Sequence, residues 1–594
     1  MSPLAEYQTR LADRQQVAER ESKAFRRIGN LRLAVGIAGV IVCFFVFGET
    51  VVPPIWLTLP FVLFIALVVM HARIVERLER ANRAVAFYQK GLARLDNRWI
   101  GNGESGDRFR NPAHVYEEDL DLFGKGSLFE LLSTARTRAG EDILAGWLLA
   151  PASREEAAAR QKAVQELGPG LDLREDLAVL GEAVRSNMDP AALATWAEAP
   201  SVEFPTGTRI LAPLLAAAVA ITFTLYMAGV TTRTPVLIAL LIELAYGFFL
   251  GTRTLRVISA VNSPARDLAL FAKLIGRLER EPFHSPLLER LRARLSGQSS
   301  AASRQIAHLR TLVSRLDWQR NLLFAPIAIA LLWSPQIAIA IERWRRRSGR
   351  YVREWMDAVG EFEALCALAG YSYEHPNDLF PCLVDIKGGQ FAADGLGHPL
   401  MDDAQCVRND IAIGGELRLL IVSGSNMSGK STLLRAVGLN TVLAWAGAPV
   451  RARSLSISPL APGASIRVLD SLQDGRSRFY SEITRLREIV NLASGATTPL
   501  FLMDELLSGT NSHDRRIGAH AIVRTLVDRG AIGIITTHDL ALAHIADDLP
   551  GRAVNVHFAD TLEEGRLHFD YRLQPGVVER SNALDLMRSV GLDV

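Results

Sequence analysis

Ten consecutive residues of this 594-residue chain could hold a phosphate: Ser423-Gly424-Ser425-Asn426-Met427-Ser428-Gly429-Lys430-Ser431-Thr432. Gly424, Gly429, Lys430 and Ser431 satisfy GxxxxGK[ST], in which glycines free successive backbone N–H groups to turn toward phosphate oxygens and a lysine adds a point charge. Gly424 to Thr432, Ser425, Asn426, Met427 and Ser428 included, are therefore read as nucleotide-binding, and Ser431 as the hydroxyl ligand of Mg²⁺. Hydrolysis needs two more groups, one to hold the metal and one to act on water. Asp504-Glu505 supplies both: Asp504 as the metal-side carboxylate, Glu505 as the group that orients or deprotonates the attacking water. His538 follows another apolar run and is placed to sense the γ-phosphate, so Lys430, Glu505 and His538 form the catalytic set and ATP with Mg²⁺ the cofactors.

These residues need a frame. Leu419-Leu420-Ile421-Val422 before the glycine-rich loop reads as a buried strand, and Leu433-Leu434-Arg435-Ala436-Val437 after it as a helix whose positive end faces the loop. Thr498 to Met503 and Ala531 to Thr537 are further apolar strands, each ending at a functional residue, as an open α/β sheet requires.

Between them lies Asp474-Gly475-Arg476-Ser477-Arg478-Phe479-Tyr480-Ser481-Glu482. Together with Asn426-Met427 inside the loop, this segment resembles the MutS-type branch of the ABC ATPases. The resemblance implies that Ser477 completes the nucleotide site of a second subunit, hence a homodimer with two composite sites. It extends to Asp121–Leu128 and Thr137–Val164, similar to the opening of the MutS core, to a lever over 266–316, and to a helix over 357–382 leading into the ATPase. His398-Pro399-Leu400 and Asn409-Asp410 fit the strands before the loop. Tyr571-Arg572-Leu573 with Gly576 and Ser581-Asn582-Ala583-Leu584 resembles the start of the family's C-terminal dimerisation helices, cut short at Val594. DNA binding in repair or recombination is implied as well. Mismatch readers of the family carry a phenylalanine and a glutamate two residues apart in an N-terminal domain, and residues 1–30 are too few to build one. Mismatch specificity is accordingly not expected.

Composition adds a second theme. Lys+Arg is 66 against Asp+Glu 64, so a net charge of +2 gives no global field for a polyanion. Mean hydropathy is nevertheless +0.14, and the excess is local. Leu33 to Phe47 and Val51 to Met70 are uncharged, as are Ile210 to Val230 and, save for Glu243, Pro235 to Gly251. Each approaches the roughly 20 apolar residues that cross a bilayer. Lys23, Arg26, Arg27 and Arg32 flank the first pair on one side, Arg73, Arg77, Arg80 and Arg83 on the other, and Arg209, Arg253 and Arg256 flank the second. The positive-inside rule puts all these ends in the cytoplasm. The expected site is a bacterial-type inner (plasma) membrane, multi-pass, with membrane lipid as a partner and the ATPase in the cytoplasm. Glu243 should face a partner helix or be protonated, most simply packing against the first hairpin. Leu322 to Ile341, broken by Pro326 and Pro335 and followed by Arg343, Arg345, Arg346 and Arg347, is read as a buried or interfacial helix pair. Cys43, Cys366, Cys382 and Cys406 lack zinc spacing and read as buried reduced thiols, with no structural metal.

The expected fold class is an α/β P-loop ATPase of ABC/MutS type following an α-helical core and lever, with two transmembrane helical hairpins. The expected divisions are a cytoplasmic segment 1–30, hairpin 31–71, core-like helices 72–208, hairpin 209–252, lever and core 253–380, ATPase 381–575 and dimerisation segment 576–594. An ATP-driven membrane switch without a DNA role is the alternative function.

Overall fold

The computed structural model describes residues 2–578 except 49–52, 186–189, 262–267, 298–300, 322–323, 426, 467–477, 508–509 and 564–565. Two long antiparallel helices, α1 (Pro3–Phe47) and α2 (Thr58–Leu95), open the chain. Ser2 caps the first, accepting from Ala5 N, and Pro3 starts it where a missing N–H costs nothing. The divisions expected at 30/31 and 71/72 fall inside these two helices. Nothing in either sequence breaks the helix where polarity changes, because Lys and Arg are as good helix formers as Leu.

The polar bases of α1 and α2 dock on the helical body. Tyr7 meets Tyr88 edge to face with ring centroids 5.7 Å apart and stacks on Tyr373. Gly91 makes this approach possible, since a methyl there would lie 2.5 Å from Tyr7 Cε2. Arg14 grips Glu175 through two hydrogen bonds of 2.7 and 3.0 Å, and Tyr88 OH donates to the same carboxylate.

The body comprises α3 (Leu128–Leu132), α4 (Arg138–Leu149), α5 (Arg154–Leu167), α6 (Leu171–Arg185), α7 (Pro190–Glu198), then the apolar pair α8 (Thr208–Met227) and α9 (Arg233–Val261). It continues through α10 (Leu268–Arg280), α11 (Pro286–Ser296), α12 (Ala302–Asp317), the short α13 (Ala325–Ala330) and α14 (Trp333–Glu374). Side-chain caps set several starts: Thr137 Oγ1 accepts from Gly140 N, Ser153 Oγ from Glu156 N and Ser285 Oγ from Leu288 N. The axis of the body is α14, 42 residues and so about 63 Å long. It packs against α4, α5, α7, α9, α11 and α12, and carries Phe362, Leu365 and Leu368 into one continuous core.

Four helices among the described residues, those carrying 3–47, 54–95, 208–227 and 233–260, are long and apolar enough to cross a membrane. Glu243 is fully buried, but α9 packs chiefly on α8, α13 and α14 rather than on the first hairpin. The 322–341 stretch divides at Leu331-Leu332, where Leu332 takes a left-handed φ of 43°, and Ile337, Ala338 and Ile341 enter the core. The cysteines are free as expected, but only Cys366 is buried; Cys43 and Cys382 are exposed and Cys406 is partly so.

The C-terminal part holds two sheets. One has the order β1-β5-β2-β3, from β1 (Cys382–Leu383), β2 (Gln390–Leu396), β3 (Asn409–Gly414) and β5 (Ser454–Ile457). The other, order β10-β9-β4-β8-β7-β6, contains β4 (Leu419–Ser423), β6 (Leu460–Ser465), β7 (Thr498–Met503), β8 (Ile532–Thr537), β9 (Ala553–Glu563) and β10 (Arg566–Pro575). β6, β7, β8, β4 and β9 are parallel, and β10 pairs antiparallel with β9. Buried on both faces, the central strands are near-continuous apolar runs. Helices α15 (Lys430–Ala446), α16 (Arg478–Leu492) and α17 (Ser512–Asp528) complete it. Tyr571-Arg572-Leu573, expected from the resemblance at the start of the dimerisation helices, lies instead in edge strand β10; segment 579–594 is outside the described residues.

Candidate nucleotide site

Strand β4 is flanked on both sides by parallel partners, so its C-terminal end opens into a crevice at the edge of the sheet, where α/β folds bind ligands. Three backbone positions shape the loop that follows: Gly424 at φ 155°, Met427 at 73° and Gly429 at 99°. The last sits at the N-cap of α15, aiming the helix's free N–H groups into the loop. Asn426 is outside the described residues.

Lys430 folds back over the loop, its Nζ donating to the carbonyls of Gly424 and Ser425, both at 2.8 Å. Burial pushes its pKa below the usual lysine value, with Glu505 and Asp504 pulling the other way. The buried hydroxyls Ser425 Oγ and Ser428 Oγ have no hydrogen-bond partner among the described residues. A buried hydroxyl left unpaired is costly, and a phosphate oxygen is the acceptor this ring of N–H, O–H and ammonium donors fits.

Register brings the acids to the loop. Pairing of β4 with β8 and of β8 with β7 aligns Val422 with Thr536 and Met503 with Ile535, so Asp504 emerges one residue beyond β7 beside the start of α15. Ser431 Oγ and Thr536 Oγ1 donate to opposite oxygens of Asp504, leaving an oxygen-rich corner suited to a hard divalent cation. Glu505 takes a left-handed φ of 48°, held by Glu505 N donating to Thr536 O at 3.2 Å. Its Oε1 lies 3.2 Å from His538 Nδ1. Lys430, Ser431, Asp504 and Glu505 thus converge on one crevice, with His538 beside Glu505 rather than on the crevice wall. Ser477 lies outside the described residues, but α16, which begins immediately after it, is tied to the same turn: the carboxylate of Glu482, buried, accepts from Leu507 N at 2.5 Å.

The crevice is a cavity of about 810 Å³ lined by Lys430, Ser431, Thr432, Asp504 and Glu505 on one side and by His398, Met401, Phe558 and Tyr571 on the other. The second wall was not foreseen as binding surface. His398 is buried, its Nδ1 accepts from Leu400 N at 3.2 Å, and burial pushes its pKa down to about 4. Tyr571, at φ 52°, lies close enough to Gly429 that a methyl there would sit 3.2 Å from its ring. Asn409 fixes it, donating to Tyr571 O and accepting from Leu573 N. Thr536 was likewise missed, although Thr536-Thr537 between an apolar run and His538 was its signal.

Residues 420–593 match MutS domain V. The DNA mismatch repair protein MutS of Natronomonas pharaonis is 32% identical over 262 residues, 43% of this chain and 29% of that protein. The endonuclease MutS2 of Thermomicrobium roseum is 32% identical over 212 residues, 33% of this chain and 24% of its own, and that of Thermus thermophilus is 37% identical over 196 residues, 33% and 25%. The chain thus spans a quarter to three-tenths of the length of these relatives. Over its C-terminal 420–593 the chain is thus similar to MutS domain V, and the relatives it matches are MutS and MutS2 proteins.

Proposed function

We propose that the protein is a membrane-anchored, MutS-like ATPase that binds and hydrolyses ATP at composite sites of a homodimer, with DNA as a partner of its helical body. The observation that carries the ATPase reading is the convergence of Lys430, Ser431, Asp504, Glu505 and His538 at the end of one parallel sheet. Lys430 exchanges its two carbonyl partners for phosphate oxygens, while the N–H groups of the loop and of α15 receive the rest of the charge. Mg²⁺, for which Ser431 and Asp504 are the ligands, would neutralise charge developing on the transferred phosphoryl group. Glu505 positions the attacking water and takes its proton, and His538 holds the Glu505 carboxylate at 3.2 Å. Ser477 of a second copy closes the site in trans.

The membrane reading rests on the four long apolar helices and on the arginines at their ends. It puts the protein at a bacterial-type inner membrane with the ATPase on the cytoplasmic face. The DNA reading rests on the MutS and MutS2 relatives, and a role in repair or recombination follows from them alone.

The test uses the full chain in lipid nanodiscs. Lys430→Ala should abolish nucleotide binding, and Glu505→Gln should keep ATP bound while slowing hydrolysis by about 100-fold or more, favouring the dimer. Wild-type turnover in both overturns the assignment. For DNA, binding to matched, mismatched and branched duplexes across salt, with and without ATP, decides: a steep salt slope with structure preference supports the partner. No binding leaves an ATP-driven membrane switch.

A further inference from the structure

The corner where α12, α13 and α14 meet is built from aromatic rings with apolar side chains facing outward. Trp318 and Trp333 stack with centroids 5.9 Å apart and planes 10° from parallel, and Phe324 packs edge-on against both. Trp333 Nε1 donates to Arg315 O at 2.7 Å, which fixes the ring. Next to this cluster, Ile327 and Ile329 of α13 are more than half exposed. A six-residue helix that spends its isoleucines on the outside buries little within the protein itself.

The position of the corner explains this. α13 packs against α9, and Leu332, at the α13–α14 joint, fills the notch left by Gly247: a methyl on Gly247 would lie 3.0 Å from Leu332 Cδ2. Gly247 lies in the apolar run of α9, four residues before Gly251 ends it, and its neighbour Phe248 is 90% exposed. α13 therefore lies beside a candidate membrane span, level with its last apolar turn, and exposes its isoleucines there. Cations follow behind them. Arg315, one turn before Trp318 on α12, and Arg343 and Arg346 on α14 are exposed and form no ion pair among the described residues. Arg345 between them is different: it is buried and bound to Glu342 and to the carbonyls of Trp196 and Pro200. Along the chain the order is Arg315, Trp318, Ile327 and Ile329, Trp333, then Arg343 and Arg346, so the isoleucines are bracketed by tryptophan and then by arginine, the order that hydrocarbon, interface and headgroup call for.

We propose that this corner is a second membrane contact, in which α13 lies in the cytoplasmic leaflet with Ile327 and Ile329 among acyl chains, and Arg315, Arg343 and Arg346 bind anionic phospholipid headgroups. The partner is the lipid surface. The inference rests on the reading of α8 and α9 as a membrane hairpin and adds that the top of α14, the axis of the body, is held by lipid charge.

The experiment is photo-crosslinking of the full chain in nanodiscs of phosphatidylcholine alone or mixed with phosphatidylglycerol. p-Benzoylphenylalanine is placed at Ile329, at Phe248 as the hairpin reference, and at Ile517 of the ATPase part as the aqueous reference. Ile329 and Phe248 should capture lipid and Ile517 should not. In the mixture, Ile329 should capture phosphatidylglycerol about fivefold above its bulk share, the enrichment that one arginine–headgroup attraction produces. Arg315→Ala/Arg343→Ala/Arg346→Ala should return that ratio to the bulk share, with nucleotide binding and capture at Phe248 unchanged. Lipid at Phe248 without lipid at Ile329 overturns the proposal and leaves the hairpin standing; no lipid at Phe248 overturns both. Unbiased capture at Ile329 overturns the arginine assignment, and capture of an added duplex oligonucleotide there in place of lipid gives the surface to nucleic acid.

Discussion

Arg94, in the last turn of α2, and Glu374, the last residue of α14, are joined by two hydrogen bonds of 2.6 Å, and Tyr7 OH of α1 donates to the same carboxylate at 3.1 Å. Glu374 is buried and Arg94 mostly so, and both ends of the first helical hairpin are tied at this one carboxylate to the helix that enters the ATPase. One turn earlier Tyr371 OH donates to Asp378, itself 3.5 Å from Arg451, whose Nη1 donates to Met401 O on the wall of the nucleotide cavity. Arg94→Ala strands a buried carboxylate and should cost about 3–5 kcal/mol of unfolding free energy. Arg94→Met/Glu374→Leu removes both charges and should recover most of it. Denaturation in detergent checks both; equal losses in the single and double variants would show that the charge itself stabilises the junction.

Thr536 should act on the metal without touching it. Its hydroxyl donates to Asp504, opposite the oxygen that Ser431 uses. Thr536→Val frees that carboxylate to rotate and should raise the Mg²⁺ concentration for half-maximal hydrolysis by about 10–100-fold, the usual cost of losing a ligand's supporting hydrogen bond. Nucleotide binding in the absence of Mg²⁺ should hold. A magnesium titration of turnover distinguishes this from a general loss of activity.

Tyr571 presents its ring to the cavity beside Gly429. Tyr571→Ala should weaken nucleotide binding by about 1–3 kcal/mol, the worth of stacking one base on an aromatic ring, and Tyr571→Phe should restore it. Calorimetry with ADP reads the difference. If both variants bind like the parent, the base lies elsewhere in the cavity.

The imidazole of His398 carries a pH signature. Its folded pKa, about 4, lies below the ordinary value of 6.5 because it is buried. The unfolded state therefore binds the extra proton first, and stability should fall as pH drops from 6.5 toward 4 and level off below that. A shift of this size is worth on the order of 3 kcal/mol. His398→Asn keeps an acceptor for Leu400 N but cannot titrate. Denaturation midpoints of the two proteins should separate at pH 7 relative to pH 4 by that amount; parallel curves would show that His398 contributes nothing to acid sensitivity.

The phosphate loop was legible because everything it needs is contiguous: glycines, lysine and serine within eight residues, a strand before and a helix after. Asp504, Glu505 and His538 were legible for a similar reason, each ending an apolar run. The apolar helices were equally plain, since hydrocarbon length is a property of a run of residues. What the sequence could not decide is what lies across from what. Parallel register alone puts Thr536 against Asp504, and an antiparallel edge strand alone returns Tyr571 to Gly429, where the family resemblance had implied the start of dimerisation helices. Arg94 and Glu374 are 280 residues apart, and no local pattern pairs them. Residue types along a short segment determine which chemistry is available, because loop geometry and helix ends are local. Which groups share that chemistry, and which buried charge finds a partner, is decided by packing over the whole chain.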